Sequence, residues 1–168
     1  MTTIKRNDIH TISILVANKP GVLVRCAQVF ARRGYNIDAL VVSPSVNPKF
    51  SRMTITAQGD PATLEQIIKQ TGKLIDVIHA SEHTGADSID REYALIKVKA
   101  SKQNKSAIAQ LAKKHCAVIS DDSEGTLVVE KSGTTEQLDS FEVLLKKYGI
   151  IEMVRSGKLV MAKGQEAT

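Results

Sequence analysis

The hydrophobic period of this chain switches from alternation to helical spacing and back in one fixed order, and that order occurs twice. Ile12, Ile14 and Val16 alternate with Thr11, Ser13 and Leu15 between Ile9 and Asn18, the pattern of a half-buried strand. Lys19-Pro20-Gly21 breaks it, and Val22, Leu23, Cys26, Ala27, Val29 and Phe30 then recur at helical spacing until Gly34. Asn36 to Ser43 and Met53 to Ala57 read as two strands around the turn-like Pro44 to Pro48. Asp60 caps and Pro61 opens a second helix, with Leu64, Ile67 and Ile68 as its apolar face and Gly72 as its stop. Ile75 to Ala80 closes the unit.

The same order returns from Tyr93. A strand over Tyr93 to Ala100 leads to a helix over Lys102 to His115 with Ile108, Leu111 and Ala112 inward. The strands Ala117 to Ser120 and Thr126 to Glu130 flank a turn, and Thr134 caps a helix through Leu138, Phe141, Leu144 and Leu145. Ile150 to Val154 closes this unit, Leu159 to Ala162 fits a short extra strand, and the tail from Lys163 is expected to fray. The order βαββαβ makes a four-stranded antiparallel sheet with both helices on one face, so the expected class is α+β with two ferredoxin-like βαββαβ domains. They divide as 1–84 and 85–168, joined by the polar stretch His83 to Arg91. A domain this small, with one bare sheet face and two edges, calls for a dimer or a larger complex.

With 42% hydrophobic and 24% charged residues in 168, the chain is neither disordered nor collagen-like. No stretch approaches the roughly 20 apolar residues that span a bilayer, and MTTIKRNDIH lacks the apolar run of a secretory signal. The expectation is a cytoplasmic protein, or one whose organelle import signal is already gone, with no membrane partner. A net charge of +5 raises nucleic acid as a partner. Splitting after Thr84 leaves 10 basic and 6 acidic residues before the cut and 13 and 12 after it, so neither half carries a basic tail. With aromatic residues at 4% and no Trp, a platform for stacking bases is lacking, and no nucleic-acid partner is expected.

The sequence offers little catalytic equipment. There is no GxSxG elbow, no GxGxxG and no Walker-type loop. Cys26 and Cys116 belong to no CxxC or Cys/His cluster and read as core thiols; His115, next to Cys116 at a helix end, points away from it. His79 and His83 have HxxxH spacing, but on a strand they stand about 13 Å apart, too far to share one ion. Asp121, Asp122 and Glu124 fit a solvated hairpin turn better than a cation site. No catalytic residue and no metal ligand is assigned.

What remains is Asn18-Lys19-Pro20-Gly21-Val22-Leu23, where a strand hands over to a helix. The unpaired N–H groups of a helix start can hold a small anion, Gly21 permits close approach, and Asn18 offers a donor and an acceptor. A plain capping loop accounts for the same residues, and both readings stand.

The run Ile14-Leu15-Val16-Ala17-Asn18-Lys19-Pro20-Gly21-Val22-Leu23 resembles the first strand and helix start of ACT domains, the amino-acid-sensing modules. Phe30 to Ile37 (FARRGYNI), Ser51 to Ile55 (SRMTI), Lys73 to Val77 (KLIDV), Arg91 to Val98 (REYALIKV) and Ile150 to Gly157 (IIEMVRSG) resemble the regulatory small subunit of acetohydroxyacid synthase, also called acetolactate synthase. The resemblance implies a non-catalytic subunit of branched-chain amino-acid biosynthesis. Such a subunit activates a large catalytic partner and makes it sensitive to valine. It implies no cofactor here, with thiamine diphosphate, Mg and FAD on the catalytic subunit, and a homodimer through the N-terminal ACT domains. Valine would lie between these domains, held by Asn18, Lys19, Pro20, Gly21, Val22 and Leu23 of one protomer and by the segment of Asn36 and Ile37. Residues 85–168 would contact the large subunit and transfer the signal.

Lys19 and Pro20 depart from some relatives, and Pro20 removes a backbone donor. Arg32 and Arg33 fit a large-subunit contact or the helix dipole, the dipole slightly ahead. Three other readings share the fold. A stand-alone ACT-domain sensor of another pathway is the main alternative. An RRM-type RNA binder lacks its aromatic strand motif here, and an acylphosphatase-type enzyme lacks an Arg in the loop before Arg25.

Overall fold

A computed structural model describes residues 9–168; most of the stretch MTTIKRNDIH, read above for a targeting signal, lies outside the described residues. The first unit is built from β1 (Ile9–Ala17), α1 (Val22–Ala31), β2 (Ile37–Pro44), β3 (Phe50–Gln58), α2 (Pro61–Thr71) and β4 (Val77–His83). Its strands run antiparallel in the order β2-β3-β1-β4. The second holds β5 (Ser88–Lys99), α3 (Lys105–Lys114), β6 (Val118–Ser123), β7 (Thr126–Gly133), α4 (Thr135–Lys146) and β8 (Ile150–Arg155), ordered β6-β7-β5-β8, and β9 (Leu159–Ala162) pairs with β5. Two βαββαβ units of α+β class are therefore present.

Each unit buries one sheet face under its helices. Ile12, Ile14 and Val16 of β1 meet Met53 and Ile55 of β3, and Val22, Cys26, Val29 and Phe30 of α1 close over them with Leu64 and Ile67 of α2. In the second unit Ile96, Val98, Leu127 and Val129 meet Ile108, Leu138, Phe141 and Leu145. Each such side chain contributes about 1.5–3 kcal/mol when taken out of water. Leu23 lies off this stripe and is exposed, although its spacing placed it with the apolar positions.

Four further expectations are corrected. β1 is buried on both faces: Thr11 and Ser13, opposite to the core side, are covered. The cover is the C-terminal segment, since Arg52 donates from Nη1 to Ser13 Oγ at 3.3 Å and to the Thr168 carbonyl, and a Cβ on Gly157 would lie 2.8 Å from that of Ala39. The tail from Lys163 is thus docked, with Ala162 N–H donating to Thr168 Oγ1 at 2.9 Å. The closing strand of the first unit begins at Val77, and Ile75, at 96% exposure, stays outside it. The polar stretch His83 to Arg91 is mostly strand, because Ser88 starts β5 and is buried there. One compact unit comprises the chain through Asp90 together with Gly157–Thr168, and the other Arg91–Ser156, a different grouping from a cut after Thr84.

Polar side chains fix the ends of two helices. Asp60 accepts from the Thr63 N–H at 2.9 Å and from the Tyr35 hydroxyl at 2.5 Å, with Pro61 at the first helical position of α2. The Tyr35 hydroxyl above all, and the Thr63 bonds with it, hold the Asp60 carboxyl down at about 2. Thr134 and Gln137 form a capping box on α4. In the second unit Glu92, only 6% exposed, accepts from Arg155 Nη2 at 2.5 Å and Nε at 3.0 Å and from Thr135 Oγ1, while Arg155 Nη1 reaches Asp139 at 2.6 Å.

Two stability measurements follow from these pairs. Arg155→Met strands the Glu92 charge and is expected to lower the urea-unfolding free energy by about 3 kcal/mol, with Glu92→Gln added to it restoring part of the loss. The Asp60 carboxyl is depressed in the folded state, so its contribution is complete above its unfolded value near 4 and is lost as pH falls through about 2. Asp60→Asn should accordingly flatten the acid limb of the melting temperature measured by circular dichroism between pH 5 and pH 2.

Candidate functional site

The handover from β1 to α1 is pinned from two sides. Ala17 N–H donates to the Asp76 carbonyl and Asn18 N–H to the Lys49 carbonyl, both at 2.8 Å. The Asn18 side chain adds Nδ2 to the Pro48 carbonyl at 3.0 Å. Its donor therefore ties the loop to the β2–β3 hairpin, a use the sequence does not reveal. Pro20 and Gly21 then turn the chain into the helix.

Gly21 sits at the N-cap with φ 80°, in the left-handed region that glycine adopts at little cost. It brings no side chain to the helix start, and among the described residues no side chain caps α1. The N–H groups of the first turn accordingly face outward beside the exposed Lys19, Pro20 and Leu23, while Val22 is buried beneath them.

One turn along, Arg25 folds back over this opening. Its N–H donates to the Gly21 carbonyl at 3.1 Å, and its Nη2 bonds Asp76 Oδ2 at 2.5 Å. Its Nη1 lies 3.1 Å from where a Cβ on Gly21 would stand. Below it burial pushes the Cys26 thiol up, the Arg25 charge pulling the other way and Asp76 adding to the rise. Arg25 is the residue that reading the sequence missed; its position four after Gly21 was the available signal. Asp76 had none, since 51 residues separate it from Arg25.

Asn36 and Ile37 lie elsewhere. Asn36 is exposed and donates to Asp38 Oδ1 at 3.1 Å, and Ile37 begins β2 opposite Ala57. Ala17, at the loop, is opposite Phe50 at the other end of β3. The run from Phe50 to Ala57 spans about 23 Å, so a single chain does not bring the loop and Asn36 together.

Other candidates are absorbed locally. Asp122 pairs with Lys105 at 2.5 Å and Asp121 accepts from Ser123 at 3.0 Å in the β6–β7 turn. His83 lies against Ser81 at 3.2 Å. Among the described residues no group of three or more His, Cys, Asp and Glu side chains is placed to hold a metal ion, and no helix is long and apolar enough to cross a membrane. Cys116 is not a core thiol: it ends α3 with φ 54° and is exposed. Ellman's reagent is expected to titrate one thiol rapidly in the native protein and the second only in denaturant, with Cys116→Ser removing the rapid phase.

A βαββαβ sheet with an open glycine turn at the start of its first helix, followed by a second unit of the same order, defines a protein of the ACT-domain type. The model of the "AHAS small subunit-like ACT domain" matches residues 12–79, and that of the "Small subunit of acetolactate synthase" matches residues 91–164. The chain is 42% identical to a "Probable acetolactate synthase small subunit" of Archaeoglobus fulgidus, covering 94% of this chain and 98% of that one. It is 41% identical to the acetolactate synthase small subunit of Mycolicibacterium smegmatis, with 92% and 91% covered. The crystal structure of the acetolactate synthase small subunit from Thermotoga maritima is similar at a TM-score of 0.84 and 36% identity, covering 94% of this chain and 99% of that one. The chain belongs to the acetolactate synthase small-subunit family, the regulatory and non-catalytic part of the holoenzyme.

Proposed function

We propose that this chain pairs through its first unit, binds valine between the two copies, and thereby sets the activity of a catalytic acetolactate synthase subunit. The observation that carries the reading is the placement of the two site segments at opposite ends of an edge strand. β2 ends the first sheet, and no strand among the described residues pairs with its outer edge. Leu40 and Val42, exposed at 36% and 42%, lie along it. Two copies joined antiparallel along β2 set Ile37 of each beside Pro44 of the other. Pro44 is at the sheet end that carries the Asn18 loop, because Asn18 bonds Pro48 and Lys49 of the hairpin that follows. Pairing thus completes a site that one chain holds in halves.

In that site the valine carboxylate meets the first-turn N–H groups of α1, Asn18 and Asn36 take its polar ends, and apolar neighbours hold the isopropyl group. Lys19 and Pro20 shape the entrance, with Val22 and Leu23 as the helix start and Ile37 from the partner. No cofactor belongs to this subunit; thiamine diphosphate, Mg and FAD sit with the catalytic partner, which residues 85–168 contact, in the cytoplasm. Regulation is a shift of population, since valine favours whichever arrangement of the pair binds it more tightly, and in this reading that arrangement does not activate.

Gly21→Asp tests the site. Aspartate tolerates the left-handed backbone better than most residues, and it places a carboxylate where that of valine would lie. In acetolactate formation by the reconstituted holoenzyme, the variant should still activate the catalytic subunit and should lose valine inhibition. Full valine sensitivity in the variant would remove the loop from the site.

A further inference from the structure

We infer that Arg25 is the cation that receives the effector's carboxylate, with Asp76 as its positioning residue; this rests on the reading of the Asn18–Leu23 loop as the effector site. The guanidinium is held where such a group is needed. Nη2 is tied to Asp76 at 2.5 Å, which leaves Nη1 over Gly21 at 3.1 Å from the missing Cβ. The space between Nη1 and the start of α1 exists only because residue 21 lacks a side chain. On one side of that space are the N–H groups of the first turn, on the other a cation that stays charged at every working pH. A carboxylate entering there is clamped from both sides.

Arginine suits this double duty better than lysine. Its planar fork carries five donors in fixed directions, so one edge can stay on Asp76 while another meets the ligand. Lys19 is on the same loop, but it is a solvated point charge on an exposed stem and lacks this orientation. Asp76 also accepts the Ala17 N–H through its carbonyl at 2.8 Å, so a single residue fixes both the loop and the guanidinium above it. The Arg25 side chain is 44% exposed, which leaves it open to a ligand arriving from solvent. The proposal also accounts for glycine at position 21 on two grounds, backbone conformation and clearance for the ligand.

The test is calorimetric titration of the full-length chain with valine and with valinamide, which keeps the ammonium and isopropyl groups but has no carboxylate charge. Wild type should bind valine and discriminate against valinamide. Arg25→Gln should weaken valine by about tenfold or more, the size of one lost charge-assisted contact. It should leave valinamide within about twofold, so that the discrimination collapses, and Arg25→Lys should recover part of it. The melting temperature of each variant checks that the exposed pair was not holding the fold. Wild-type valine affinity in Arg25→Gln, while Gly21→Asp binds none, would overturn the role of Arg25 and leave the loop as the site. Equal weakening of valine and valinamide would make Arg25 a structural residue and overturn the proposal as well. Absence of valine binding by wild type would remove the site reading and the proposal together.

Discussion

The left-handed turn at Gly21 is the point from which the rest of the first unit takes its function. A helix start normally closes its own unsatisfied donors, as Asp60 does for α2 and Thr134 for α4. At α1 nothing on the cap residue does so, and the chain instead holds the loop from below with the Asp76 carbonyl, the Pro48 and Lys49 carbonyls and the buried Val22. The opening is therefore rigid and unsatisfied at once. Rigidity keeps the ordering cost of a ligand small, and unsatisfied donors give it something to bind.

Much of this was legible in the sequence because it is local. Strand and helix periods, the Asp60-Pro61 and Thr134 starts and the glycine stops follow from spacing within a few residues, and the βαββαβ order follows from them. The Asn18–Leu23 loop could be picked out for the same reason. What the sequence did not show depends on residues far apart. Thr11 and Ser13 alternate as a solvent face should, and only the docked segment from Gly157 to Thr168 makes them interior. Cys116 has the composition of a core residue and the backbone of a helix terminus, and the backbone decides its exposure. The role of Asp76 depends on a contact across the sheet that no spacing announces.

The two segments of the site lie apart for a geometric reason. α1 has ten residues and returns the chain to β2 about 15 Å from where it began, so the loop before the helix and Asn36 after it are necessarily at opposite ends. Within one chain that arrangement is useless for a ligand the size of an amino acid. Across an antiparallel pair of edge strands it becomes two equivalent sites, because a twofold axis through the middle of β2 exchanges the ends.

That exchange has a thermodynamic consequence. A ligand that needs residues from both copies binds the pair and not the single chain, so ligand and pairing must support each other by equal free energies. The same reciprocity extends to any partner that prefers one arrangement of the pair. If the catalytic subunit is activated by an arrangement in which the Gly21 opening and the opposite Asn36 stand too far apart to share a ligand, valine opposes activation without touching the catalytic chemistry. The inhibition can then be no stronger than the difference in valine affinity between the two arrangements. A clamp of charge at Arg25 enlarges that difference, since the carboxylate gains its full set of partners only when the isopropyl group is held at the same time by the second copy.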